Sequence, residues 1–105
     1  TRAADTVARI GGDEFVVLLG DVDRPETARH VAQKLLEALS APLEVDGHGL
    51  QVTPSIGIGV YPGDGEDVET LLRNADTAMY HAKREGRNNA QFYTPALNGA
   101  AQRRR

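Results

Sequence analysis

Four residues, Gly11-Gly12-Asp13-Glu14, sit between two β-rich runs and constrain this chain more than any other feature. Residues 5–10 and 15–19 read as strands, and a two-glycine turn between them makes a β-hairpin. Asn-Gly or Asp-Gly would serve for such a turn. Two adjacent carboxylates whose charges repel therefore need a further reason to be there.

Downstream punctuation is regular. Asp23 and Glu26 resemble a capping box beside Pro25, and Ala28, Val31, Ala32, Leu35 and Leu39 recur at helical spacing until Pro42. The stretch "APLEVDGHGLQVTPSIGIGVYP" reads as a second hairpin with "DGHG" as its turn and a long second strand over residues 50–61. On that strand Ile56, Ile58 and Val60 share one face. Ser55, Gly57 and Gly59 share the other, leaving room for a closely packed helix in preference to a ligand. Val68, Leu71, Leu72, Ala75, Met79 and Ala82 mark a second amphipathic helix that Gly86 stops. A short strand, "AQFY", and a tail ending in "QRRR" follow.

The order ββ-α-ββ-α-β predicts an α+β domain, a partly antiparallel sheet flanked by helices. No G-x-G-x-x-G opens a helix and no G-x-x-x-x-G-K-[ST] occurs, so neither common phosphate-binding loop is used. A net charge of −3 gives no general attraction for nucleic acid or anionic membrane. The absence of cysteine excludes disulfides, thiolate metal sites and a Cys nucleophile. No apolar run is long enough to span a bilayer and no signal-peptide pattern opens the chain, which predicts a soluble cytoplasmic module. His30, His48 and His81 lack metal-ligand spacing, and Asp76 reads as a helix residue.

Asp13 and Glu14 supply hard oxygen donors that suit Mg²⁺ or Mn²⁺. Neighbours in a regular strand point to opposite faces, but a glycine turn can bring both carboxylates towards one ion. From spacing alone, a metal-binding turn and a solvated acidic turn remain equally open. Lys83, Arg84 and Arg87 at the end of the second helix can likewise complement its dipole or grip phosphate.

The segment "RIGGDEF" resembles the signature of the GGDEF family, the diguanylate cyclases, and the motif is intact at Gly11-Gly12-Asp13-Glu14-Phe15. "SIGIGVYP", "LLRNADTAMYHAKREGRN" and "FY" resemble that family's later segments in the same order. The resemblance implies a palm-like nucleotide-cyclase fold and the condensation of two GTP molecules into cyclic di-GMP with release of pyrophosphate. It implies a homodimer in which each protomer holds one GTP. Asp13 and Glu14 would bind the metal and activate the attacking 3′-hydroxyl, without a decision as to which is the base. Gly11 and Gly12 would let the turn lie against the nucleotide, and Lys83 and Arg87 would contact the terminal phosphates. Arg2 and Asp5 in "RAAD", five residues before the motif, match the family's R-x-x-D inhibitory product site, with Lys34 a further contact.

The resemblance also implies a departure. The chain begins just before the signature, so residues 1–94 read as a GGDEF domain lacking its N-terminal part, including a metal-binding Asp and the guanine-recognising residues. Loss of a central strand would leave its neighbours' edges unpaired and the 105 residues inactive by themselves. Residues 95–105 read as a tail or linker that leads towards an EAL phosphodiesterase domain. The alternative reading is a catalytically silent GGDEF domain that binds GTP or cyclic di-GMP and regulates an attached phosphodiesterase.

Overall fold

A computed structural model describes residues 6–20, 24–40, 43–45, 47–50 and 53–97. Within them lie strands β1 (Thr6–Arg9) and β2 (Glu14–Leu19), helix α1 (Pro25–Leu39), strands β3 (Leu43–Val45), β4 (His48–Leu50) and β5 (Ser55–Val60), helix α2 (Val68–Arg84) and strand β6 (Asn89–Phe92). The main sheet has the order β1-β2-β5-β6. Strands β1 and β2 pair antiparallel as the expected hairpin, with Thr6 opposite Leu18 and Arg9 opposite Phe15. The β2–β5 and β5–β6 pairs are parallel, so the domain is α+β with a mixed sheet.

The second hairpin differs from its sequence reading. Strand β3 pairs with β4 in a separate two-stranded sheet, and His48 and Gly49, read as turn, belong to β4. The long strand over 50–61 is two strands. Pro54 precedes β5, and proline cannot donate to a sheet ladder, so regular pairing restarts at Ser55. The inner edges also pair with each other: β2 lies directly beside β5, with Glu14 opposite Ser55 and Leu19 opposite Val60.

Inner strands buried on both faces carry continuous apolar runs. Val16, Val17, Leu18 and Leu19 of β2 are all buried, as are Ile56 and Ile58 of β5. One face packs Val17, Leu19, Ile56 and Ile58 against Ala28 and Ala32 of α1, with Val31, Leu35 and Leu36 around them. The other packs Val16 and Leu18 against Leu71, Ala75 and Met79 of α2. Both crossovers advance in the same direction along the sheet yet use opposite faces. They therefore have opposite hands, and one departs from the usual right-handed rule.

Helix α2 sits on β5 because glycine permits it. A Cβ at Gly57 would overlap the Ala75 carbonyl oxygen and the Met79 amide, and one at Gly59 would lie 3.2 Å from Leu71 Cδ1. The Ser55-Gly57-Gly59 face is thus helix-covered, as its small side chains predict. Leu71, Ala75, Met79 and Ala82 are buried, but Val68 and Leu72 of the expected stripe are 67% and 37% exposed. They lie on the rim of a helix only part of whose apolar stripe meets the sheet.

The helix ends differ in chemistry. Asp67 caps α2, accepting from the Thr70 backbone N–H at 2.8 Å and from the Thr70 hydroxyl at 3.1 Å. These bonds to its carboxylate hold Asp67 below its ordinary pKa of 3.8. At the start of α1, Arg24 occupies the cap without a side-chain bond and Pro25 begins the helix; Asp23 of the expected capping box lies outside the described residues, as does Pro42. Among the described residues no helix is long and apolar enough to cross a membrane.

Candidate functional site

The glycine turn closes through the Glu14 carbonyl, which accepts from Ile10 N–H at 2.7 Å and from Gly11 N–H at 3.3 Å. A Cβ at Gly11 would stand 2.9 Å from Glu14 Oε1, so glycine there lets the Glu14 carboxylate fold back over its own turn. Gly12 has nothing within 4 Å of where a Cβ would be, leaving the turn open on that side. The Asp13 carbonyl accepts from Ser55 N–H at 2.8 Å, which ties the turn to the start of β5.

Alternation along β2 puts Glu14, Val16 and Leu18 on the α2 face. Helix α2 runs back along the sheet, since Gly59 meets Leu71 and Gly57 meets Met79. Its last turn therefore arrives above Glu14. There Lys83 Nζ pairs with Glu14 Oε2, and Arg87 Nη1 donates to Asp13 Oδ2 at 2.8 Å. Asp13, Glu14, Lys83 and Arg87, four of the side chains singled out from the sequence, thus meet in two ion pairs at one end of the sheet. Their side chains are 21–41% exposed, so each pair contributes only about 0–1 kcal/mol to stability.

Arg87 reaches Asp13 through an unusual backbone. After α2, residues Gly86, Arg87 and Asn88 all have positive φ, at 110°, 63° and 52°. Gly86 takes this region freely. Arg87 does so at a cost of about 1–2 kcal/mol. Asn89 fastens the bend, donating from Nδ2 to the Ala82 and Arg87 carbonyls at 2.9 Å each and accepting from Gln91 Nε2 at 2.9 Å. The sequence reading missed Asn89; an Asn directly after "EGRN", where a helix must turn into a strand, was the available signal.

Two adjacent carboxylates fit a divalent cation of the Mg²⁺ kind, which takes one or two protein carboxylates and completes its shell with phosphate oxygens and water. Among the described residues no group of three acidic or His side chains forms a fuller metal cage. His81 instead lies 3.7 Å from Glu85 on its own helix. Arg2 and Asp5 lie outside the described residues, as does the tail beyond residue 97. Lys34 is exposed on α1.

The family profile for the diguanylate cyclase GGDEF domain matches residues 1–89. The chain is 46% identical over 101 residues to the bifunctional diguanylate cyclase/cyclic di-GMP phosphodiesterase MucR of Pseudomonas aeruginosa, covering 96% of this chain and 15% of that protein. The solved GGDEF domain of PA1120 (TpbB or YfiN) from the same organism superposes with a TM-score of 0.78 at 35% identity. That match covers 96% of this chain and 59% of the solved one. An EAL/GGDEF domain protein from M. capsulatus gives a TM-score of 0.71 at 48% identity, over 90% of this chain and 61% of that one. The chain therefore spans less than two thirds of each of these proteins.

Proposed function

Because the chain belongs to the GGDEF family of diguanylate cyclases, we propose that Asp13, Glu14, Lys83 and Arg87 handle metal and phosphate in a site that joins two GTP molecules into cyclic di-GMP. The convergence of two carboxylates with two cations, 69 and 74 residues apart in sequence, is the observation that supports this reading. In the resting pairs the carboxylates and cations neutralise one another. On binding, each would exchange its partner: the carboxylates for the cation, Lys83 and Arg87 for the terminal phosphates. Arg87 can take two phosphate oxygens with its planar fork, and Lys83 acts as a point charge.

A bound Mg²⁺ or Mn²⁺ would offset the negative charge that builds on the phosphates during transfer. The open side of the turn at Gly12 would let the nucleotide lie against the backbone, beside Gly11. Asp13 or Glu14 would accept the proton of one GTP's 3′-hydroxyl. That oxygen would bond to the α-phosphorus of the second GTP as the bond to the bridging β-phosphate oxygen breaks and one pyrophosphate leaves. The second nucleotide's 3′-hydroxyl would attack the first's α-phosphorus in the same way, closing the ring and releasing a second pyrophosphate. Each protomer of a homodimer would bring one GTP, and such a substrate fits a cytoplasmic location.

Arg2 and Asp5 would form a product site that restrains synthesis, and an EAL domain would adjoin the chain. A second reading, nucleotide binding without turnover beside a phosphodiesterase, is favoured by a relative 44% identical over 96 residues, NbdA of Pseudomonas aeruginosa, whose name gives cyclic di-GMP phosphodiesterase alone. The two separate in the complete GGDEF domain incubated with GTP and Mg²⁺. Cyclic di-GMP formation that Asp13→Ala or Glu14→Gln abolishes supports synthesis. GTP binding without product supports the silent domain, and near-normal turnover in either variant overturns the assignment of these carboxylates.

A further inference from the structure

Among the described residues Ser55 Oγ is the buried side-chain polar atom without a hydrogen-bond partner, and Ser55 is wholly inaccessible to solvent. An unpaired buried hydroxyl is costly, so its neighbours matter. In the sheet Ser55 stands between Glu14 on β2 and Asn89 on β6, all on the α2 face. Asn89 has both amide hydrogens and its oxygen engaged with Ala82, Arg87 and Gln91. The progression from Gly59 beside Leu71 to Gly57 beside Met79 carries α2 over Ser55 near Ala82 and Lys83. Glu14 is the neighbouring acceptor, and Lys83 holds its Oε2. The Ser55 backbone is itself fixed to the turn through the Asp13 carbonyl.

We propose that Ser55 is a positioning residue for Glu14: when Lys83 moves to phosphate, the Ser55 hydroxyl donates to the freed carboxylate and holds it for the cation. The assignment rests on the metal-and-phosphate reading of the same turn. It adds a residue that contacts neither ligand and acts only through Glu14. The buried hydroxyl is then idle in the resting pairs and engaged in the loaded state, where a bond to a charged acceptor is stronger than one to a neutral acceptor.

Two measurements test it. Mn²⁺ is titrated into the protein at saturating pyrophosphate, and thermal unfolding is followed without either ligand. Ser55→Ala should lower Mn²⁺ affinity about tenfold, with Ser55→Cys, a similar volume and a weaker donor, falling between. Without ligands Ser55→Ala should melt no lower than the parent. In a Lys83→Met background, where Glu14 has lost its resting partner, the same change should lower the melting temperature by about 5 °C. Unchanged affinity together with no dependence on Lys83 overturns the proposal, as does a Ser55→Ala protein that fails to fold. A parent that binds no Mn²⁺ even with pyrophosphate overturns the metal reading, while the melting comparison still judges the Ser55–Glu14 contact.

Discussion

Gly57 and Gly59 alternate on one face of β5, but replacing each with alanine should have very different results. A Cβ at Gly57 overlaps backbone atoms of Ala75 and Met79 and lies 2.7 Å from Met79 Cα. Helix backbone cannot rotate aside as a side chain can, and the Ala75 carbonyl oxygen would lie only 2.0 Å from that Cβ, so α2 would have to retreat by about 1.4 Å to restore ordinary contact. That gap would unseat Ala75 and Met79, both buried, from the sheet. Overpacking of this kind costs about 3 kcal/mol, or about 12–24 °C in the melting temperature of a domain this size. At Gly59 the nearest atoms, Leu71 Cδ1 and the Leu71 carbonyl oxygen, are both at 3.2 Å and need give only a few tenths of an ångström. Gly59→Ala should cost less than about 1 kcal/mol. Urea unfolding of both variants, with slopes compared to exclude a changed unfolded state, reads the difference directly. Gly57→Ala within 1 kcal/mol of the parent would refute the packing account of the small-residue face.

Three further outcomes follow from the ends of α2 and from the N-terminus. Arg87→Ala should be less stable than Arg87→Gly by about 1 kcal/mol in chemical denaturation, because alanine keeps the strained positive φ that glycine relieves; both should lose pyrophosphate binding. Asp67 binds fewer protons folded than unfolded near pH 3.8, so its stabilisation is full above that value and fades as pH falls through its lowered folded pKa. The melting difference between parent and Asp67→Ala should therefore be largest above about pH 5 and shrink below 3.8. Arg2→Ala in the complete domain should relieve inhibition by added cyclic di-GMP and leave synthesis at low product unchanged, as initial-rate curves would show.

The hairpin, both amphipathic helices and the helix-covered face of β5 were legible because each rests on local periodicity. Pairing partners were not. Nothing within "FVVLL" says that its neighbour is "SIGIGV" rather than the preceding strand alone, since parallel pairing is set by packing across the whole sheet. The broken strand around Pro54 was visible in principle, because a proline in a strand demotes it. Asp13, Glu14, Lys83 and Arg87 were picked out through family resemblance, whereas composition and spacing left each open. Ser55 registered only as small, because an unpaired hydroxyl is a property of its surroundings and not of its letter.

The two ion pairs also bear on the order in which the molecule assembles. Closing loops of 69 and 74 residues costs about 4 kcal/mol in chain entropy. Half-exposed ion pairs return far less. They cannot nucleate folding and must form after β2, β5 and α2 have docked for other reasons. During synthesis the site stays absent until residue 87 has emerged and the sheet has closed. Substitutions at Lys83 and Arg87 then act on the unfolding rate and leave the folding rate alone. The chemistry of this turn is a late product of folding, and a chain halted short of its second helix would carry an intact signature with nothing to hold it.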